Sequence, residues 1–160
     1  MNEEARQLAA RLRLAPLPGE GGLFAASWTG RTHGPDGRAL ASGILFMIAG
    51  DDFSALHRLQ MDEAWHHQAG DPAELVLLGE AGGARRVVLG PDPLSGHAPQ
   101  AFVRAGLWQG ARLLPGPRGW ALFGCVVTPA WEARGFELGA TPSLLRDFPG
   151  DAGIIRSLTR

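Results

Sequence analysis

The stretch Gly50-Asp51-Asp52-Phe53-Ser54-Ala55-Leu56-His57-Arg58-Leu59-Gln60-Met61-Asp62-Glu63-Ala64-Trp65-His66-His67-Gln68-Ala69-Gly70 gathers three imidazoles and a carboxylate into the eleven residues from His57 to His67, between bounding glycines. Phe53–Leu59 and Glu63–Gln68 read as short strands around a turn. Paired as a hairpin, they project residues of both strands to one side of a sheet, so that His57 and Glu63 meet across the turn. An imidazole and a carboxylate placed together suit a divalent metal, or a proton-transfer couple in which the carboxylate orients the ring.

Around this stretch the chain continues as short apolar segments divided by turn residues: Leu23–Thr29, Ala39–Ala49, Glu74–Leu78, Arg85–Leu89, Gln100–Arg104, Leu107–Leu114 and Trp120–Pro129. The dividers include His33-Gly34-Pro35-Asp36-Gly37, Gly82-Gly83 and Pro115-Gly116-Pro117. Many short strands at this spacing predict an antiparallel sandwich or barrel, which 23 glycines and 12 prolines suit better than a helical bundle. Before the strands, Ala5, Leu8, Ala9 and Leu12 form one apolar stripe, so a helix is expected over about 3–14 with Asn2 as its cap. After a barrel over about 20–138, Thr141 as cap and Pro142 at the first position predict a second helix to about Asp147. In the tail to Arg160, Ile154, Ile155 and Leu158 suffice to dock on the body. One domain over 1–160 is the expected organisation.

Composition narrows the function. A net charge of -1 argues against the basic surface that nucleic acid or an anionic membrane requires. The acidic Met1-Asn2-Glu3-Glu4 start lacks the features of a signal peptide, so the cytoplasm is the expected compartment. Cys125 stands alone in an apolar run and reads as a buried, inert thiol. All 15 basic residues are arginine, and there is no tyrosine. Lysine Schiff-base chemistry and a tyrosine general acid are therefore ruled out.

The order Gly50, His57-Arg58-Leu59, Glu63, Gly70 resembles the first motif of the cupin superfamily, and Arg104-Ala105-Gly106-Leu107-Trp108-Gln109 resembles the second. A fuller series is similar to the fifth catalogued cupin domain family, small proteins related in fold to dTDP-sugar epimerases. It comprises Gly19-Glu20-Gly21-Gly22, Asp62-Glu63-Ala64-Trp65-His66, Gly70-Asp71-Pro72, Leu89-Gly90-Pro91-Asp92, Gly124-Cys125-Val126-Val127-Thr128-Pro129 and Phe136-Glu137-Leu138. The resemblance implies an all-β double-stranded β-helix, the cupin jelly-roll barrel, with short N- and C-terminal helices. It also implies a homodimer. Leu59 and Gln109 stand where two metal-binding histidines are usual, and Ala25-Ala26 where the family carries polar residues that point into the barrel.

His57 and Glu63 are the candidate catalytic residues. His57, Glu63 and His66 are the candidate ligands of a possible divalent metal, with Gln109 as a weak oxygen donor. Alternation from Glu63 turns Trp65 and His67 inward, whereas the resemblance favours His66 as the pocket histidine, leaving His67 exposed or at an interface. Trp65 and Trp108 are candidate pocket walls; Trp28, Trp120 and Trp131 read as core or dimer interface. Arg58, Arg104 and Arg112 are candidates for holding an anion. Three functions follow: a small-molecule-binding cupin with a sugar-like or organic-acid ligand, a sugar-derivative epimerase with His57 as base, or a metal-dependent cupin enzyme.

Overall fold

The computed structural model describes residues 1–79 and 83–160, so Gly82 of the expected Gly82-Gly83 turn lies outside the described residues. Helix α1 (Glu3–Leu12) begins where the Asn2 carboxamide accepts the Ala5 N–H at 2.9 Å, and Glu3 and Glu4 lie at its positive end. Its backbone turns left-handed at Arg13 (φ 57°) and stops. Eleven strands follow: β1 (Ala15–Pro16), β2 (Leu23–Thr29), β3 (Ser42–Ala49), β4 (Phe53–Leu59), β5 (Asp62–Gly70), β6 (Ala73–Leu78), β7 (Arg85–Leu89), β8 (Gln100–Val103), β9 (Trp108–Leu113), β10 (Trp120–Thr128) and β11 (Phe136–Leu138). Helices α2 (Thr141–Asp147) and α3 (Ala152–Ser157) close the described chain. The first residue of α2 is Thr141, so its cap is Ala140 rather than the expected Thr141. The tail contains a helix of its own.

The strands form two antiparallel sheets, ordered β1-β2-β3-β10-β5-β8 and β11-β4-β9-β6-β7. This is the expected jelly-roll arrangement, with one correction. Strands β4 and β5 are not a hairpin: β4 pairs with β9 and β11, and β5 with β10 and β8. The turn at Gln60-Met61 carries the chain from one sheet to the other, so His57 and Glu63 approach each other from facing sheets.

Three apolar layers result. Between the sheets lie Phe46, Trp65, Leu75, Leu77, Leu89, Phe123 and their neighbours. Outside the six-stranded sheet, Ala5 and Ala9 of α1 cover Met47, Trp120 and Leu122. Outside the five-stranded sheet, Leu144, Ile154, Ile155 and Leu158 cover Leu56, Val76, Leu78 and Trp108. Each large side chain removed from water in this way contributes about 1.5–3 kcal/mol. No helix among the described residues is long and apolar enough to cross a membrane.

Candidate functional site

The space between the sheets is filled at one end and open at the other. The open end is a cavity of about 600 Å³, walled by Phe24, Ala26 and Trp28 of β2, Ile44 and Phe46 of β3, Leu59 of β4, Trp65 of β5, and Cys125 and Val127 of β10. Trp131 and Phe136 also line it. Trp28 and Trp131 remain about half exposed, at 47% and 53%. Of the Ala25-Ala26 pair, Ala26 lines the cavity, presenting a methyl group to it. Burial pushes the Cys125 thiol pKa well up, as expected of an inert cysteine.

The buried polar side chains of the cavity are Glu20, His57 and Glu63; Thr29 and Ser42 also line it. Glu20 sits on the loop between β1 and β2, where Gly21 (φ 96°) and Gly22 (φ 70°) are left-handed. A Cβ on Gly21 would lie 2.5 Å from the Phe53 carbonyl oxygen, and one on Gly22 would lie 2.6 Å from the Phe46 ring. Only glycines let the loop pack closely enough for Glu20 to enter the barrel. Asp52 fastens the loop by accepting the Gly22 N–H at 2.8 Å.

Ser54 donates to Glu20 Oε1 at 2.7 Å, and His57 Nδ1 lies 3.8 Å from the same oxygen. Strict alternation would send Ser54 and His57 to opposite faces of β4. The register against β9 shifts between them, with Ser54 opposite Ala111 and His57 opposite Gln109, and brings both to Glu20. His57 Nδ1 is 2.8 Å from the Ala55 carbonyl oxygen, which only accepts, so Nδ1 carries a proton, and Nε2 makes no hydrogen bond among the described residues. Phe136 stacks on the imidazole, centroids 5.5 Å apart.

Glu63 reaches in from the opposite sheet. Gln109 donates to its Oε2 at 2.5 Å and accepts the Trp65 indole N–H at 3.0 Å, which fixes the amide's orientation. Burial is the main influence on Glu63 and pushes its pKa up to about 7. The His57 ring and the Gln109 and Trp65 N–H groups work against that rise, while the Glu20 charge adds to it.

The structure thus brings His57, Glu63, Trp65 and Gln109 of the sequence candidates together, with Gln109 behind Glu63 rather than on the cavity surface. It separates the others. His66 does not line the cavity: the only register irregularity between β5 and β10 falls beyond His67, so alternation from Glu63 holds and His66 points away. His67 turns inward and is half-buried, its ring 5.8 Å from that of Phe123 and Nε2 3.0 Å from the Asp71 carbonyl oxygen, rather than exposed. Trp108 lies on the outer face beneath the C-terminal helices, covered by the Arg58 guanidinium 4.6 Å from its ring. Arg58 pairs with Glu137 and Arg112 with Glu74, so neither faces the cavity. Arg104 is exposed. Trp120 is core, its indole N–H on Glu4 of α1.

A metal does not fit these residues. Among the described residues no three His, Cys, Asp or Glu side chains gather as ligands, and Leu59 lines the cavity where a second imidazole would be needed. The expected set of His57, Glu63 and His66 is dismantled by the outward turn of His66. Sequence reasoning missed Glu20, Ser54 and the two tryptophans at the mouth. The run of glycines around Glu20 was the available signal, since an acidic residue flanked by left-handed glycines is being aimed somewhere.

The family model described as Cupin superfamily (DUF985) matches residues 6–139. A crystal structure of a protein from Shewanella oneidensis is 29% identical, covers 98% of this chain and 97% of its own, and superposes with a TM-score of 0.90. A hypothetical protein from Leishmania major is 27% identical over 97% of this chain and 98% of its own, with a TM-score of 0.87. Oxalate decarboxylase from Bacillus subtilis, 14% identical, matches 91% of this chain with 37% of its own at a TM-score of 0.58, a likeness of fold alone. No curated protein matches.

Proposed function

This chain belongs to the cupin superfamily, and on that premise we propose that it is a small-molecule-binding cupin whose ligand enters between Trp28 and Trp131 and meets His57, Glu20 and Glu63. The observation that carries this reading is the cavity itself. About 600 Å³ lies open within the barrel, and three buried polar side chains border it among apolar walls. Burying such groups without a full set of partners costs stability, a cost that a bound molecule offsets. Aromatic walls suit a ring-bearing ligand, which supports the sugar-like expectation. The organic-acid expectation fares worse, because two carboxyl groups oppose an anion and none of the described lining residues is an arginine.

The test is binding of a neutral apolar fluorophore, N-phenyl-1-naphthylamine, to the purified chain and to Ala26→Trp, which fills the cavity. Fluorescence enhancement in the parent and its loss in the folded variant are expected. Equal enhancement in both would overturn the reading.

A second reading, isomerisation by acid–base chemistry, is favoured by one observation. Glu63, at about 7, holds its proton near neutrality close to an imidazole with an open nitrogen. His57 Nε2 would take a proton from carbon, and Glu63 would return one to the opposite face. Incorporation of solvent deuterium into a sugar-derivative substrate, abolished by His57→Ala, would support it; unchanged exchange in that variant would exclude it.

A further inference from the structure

Two of the three buried polar side chains that border the cavity are carboxyl groups, each with an oxygen to spare. Glu20 Oε1 accepts from Ser54, Glu63 Oε2 accepts from Gln109, and His57 Nδ1 donates to Ala55. Their second atoms, Glu20 Oε2, Glu63 Oε1 and His57 Nε2, have no hydrogen-bond partner among the described residues. Yet among those residues no side-chain nitrogen or oxygen is both sealed from solvent and unbonded. The three atoms therefore have open surface, and the space their residues border is the cavity. Two of them are carboxyl oxygens, which as carboxylates only accept.

We propose that the cavity binds a small organic cation, an ammonium or amidinium on an apolar or aromatic body, with its nitrogen on Glu20 and Glu63 and its body against Trp28 and Trp131. The proposal rests on the small-molecule reading above and names the class of ligand.

Charge and shape both favour this occupant. An ammonium brings three donors and no acceptor, the complement of a pair of carboxylates. A sugar hydroxyl brings a single donor and no charge to set against them. The Glu20 charge raises the cost of ionising Glu63, and a cation between the two removes it. The chain has no lysine to supply that cation, and the neighbouring guanidiniums are used elsewhere. Arg160 is bound to Asp52 and the Phe53 carbonyl, and Arg38 to the Ala130 carbonyl. Indole faces at the mouth attract a cation on its way in.

The test compares phenethylamine, 2-phenylethanol and phenylacetate, which share one body and differ in charge, by displacement of N-phenyl-1-naphthylamine from the full chain. The amine is expected to bind about tenfold more tightly than the alcohol, a difference typical of a charge-assisted hydrogen bond, with the acid weakest. Glu20→Gln should erase most of the amine's advantage over the alcohol. Trp28→Ala, a change at an exposed position, is the second variant and should weaken the amine more than the alcohol. An alcohol or acid that binds as tightly as the amine would overturn the cation proposal while the dye still reports a working cavity. A dye that fails to enter at all would overturn both readings.

Discussion

Glu63 and Glu74 are withdrawn from solvent almost equally, at 7% and 8% exposed, and they sit in opposite situations. Glu74, on the outer face of the five-stranded sheet, is bound by Arg86 at 3.1 Å and Arg112 at 2.8 Å, both partly open to water. Its charge is matched by the chain itself. Glu63, inside the barrel, receives the amide of Gln109 and faces a second carboxyl group, Glu20, across an empty space. A carboxylate that serves the fold comes with its cation. Glu63 keeps an oxygen unspent, as the proposed ligand requires, and its raised pKa records a burial that no cation offsets.

The largest test of this contrast is Glu63→Gln. With a folded pKa of about 7 against the ordinary 4.5, the native state holds a proton that the unfolded state has already released, so the Glu63 contribution is fully present below about 4.5 and is lost as pH rises through about 7. The cost above pH 7 is about 3 kcal/mol. The glutamine variant should therefore be more stable than the parent at pH 8 and nearly equal at pH 4.5, as read by urea denaturation. Destabilisation at pH 8 would make Glu63 a structural residue like Glu74 and break the contrast.

Glu74→Gln should have the opposite sign, costing about 1 kcal/mol at pH 7 and less in high salt, because its two arginines stay partly solvated. A salt-independent loss would mean that packing rather than charge holds the outer face. A smaller effect is expected of Arg160→Ala. Arg160 lies over the Phe53 ring at 4.3 Å and grips Asp52, which in turn holds Gly22 of the Glu20 loop. Stability should fall by less than about 1 kcal/mol. Amide exchange at Gly21 and Gly22 should quicken, as hydrogen–deuterium exchange would register. The least effect on stability, within about 0.5 kcal/mol, is expected of Trp131→Ala, whose side chain is half exposed at the mouth. The same variant should weaken binding of the neutral dye, and intact dye binding would remove Trp131 from the entrance.

Much of the architecture was legible because it depends on local pattern. Strands β2, β4 and β7 lie where the apolar runs place them, and α1 begins at the residue that Asn2 caps. Glu63 and Trp65 face inward because alternation is a property of any strand. Other features were out of reach because they depend on which strand lies beside which. Arg58 and Trp108 stand opposite one another in the β4–β9 pairing and stack outside the barrel, though each alone looked like a residue of the site. Ser54 reaches Glu20 only through a register shift that its own strand does not encode.

The stretch from Gly50 to Gly70 determined by itself that an imidazole and a carboxyl group would occupy two short strands of a cupin barrel. Leu59 in that stretch, and Gln109 beyond it, took away two of the usual metal ligands. Tertiary structure decided how His57 and Glu63 meet, across the gap between facing sheets rather than along a hairpin. It also decided that Glu20, 37 residues before His57 in the chain, completes the set. The reason is physical: a side chain's face follows from its strand's alternation, but its neighbours follow from the pairing of strands and the packing of loops, which no local run of residues contains.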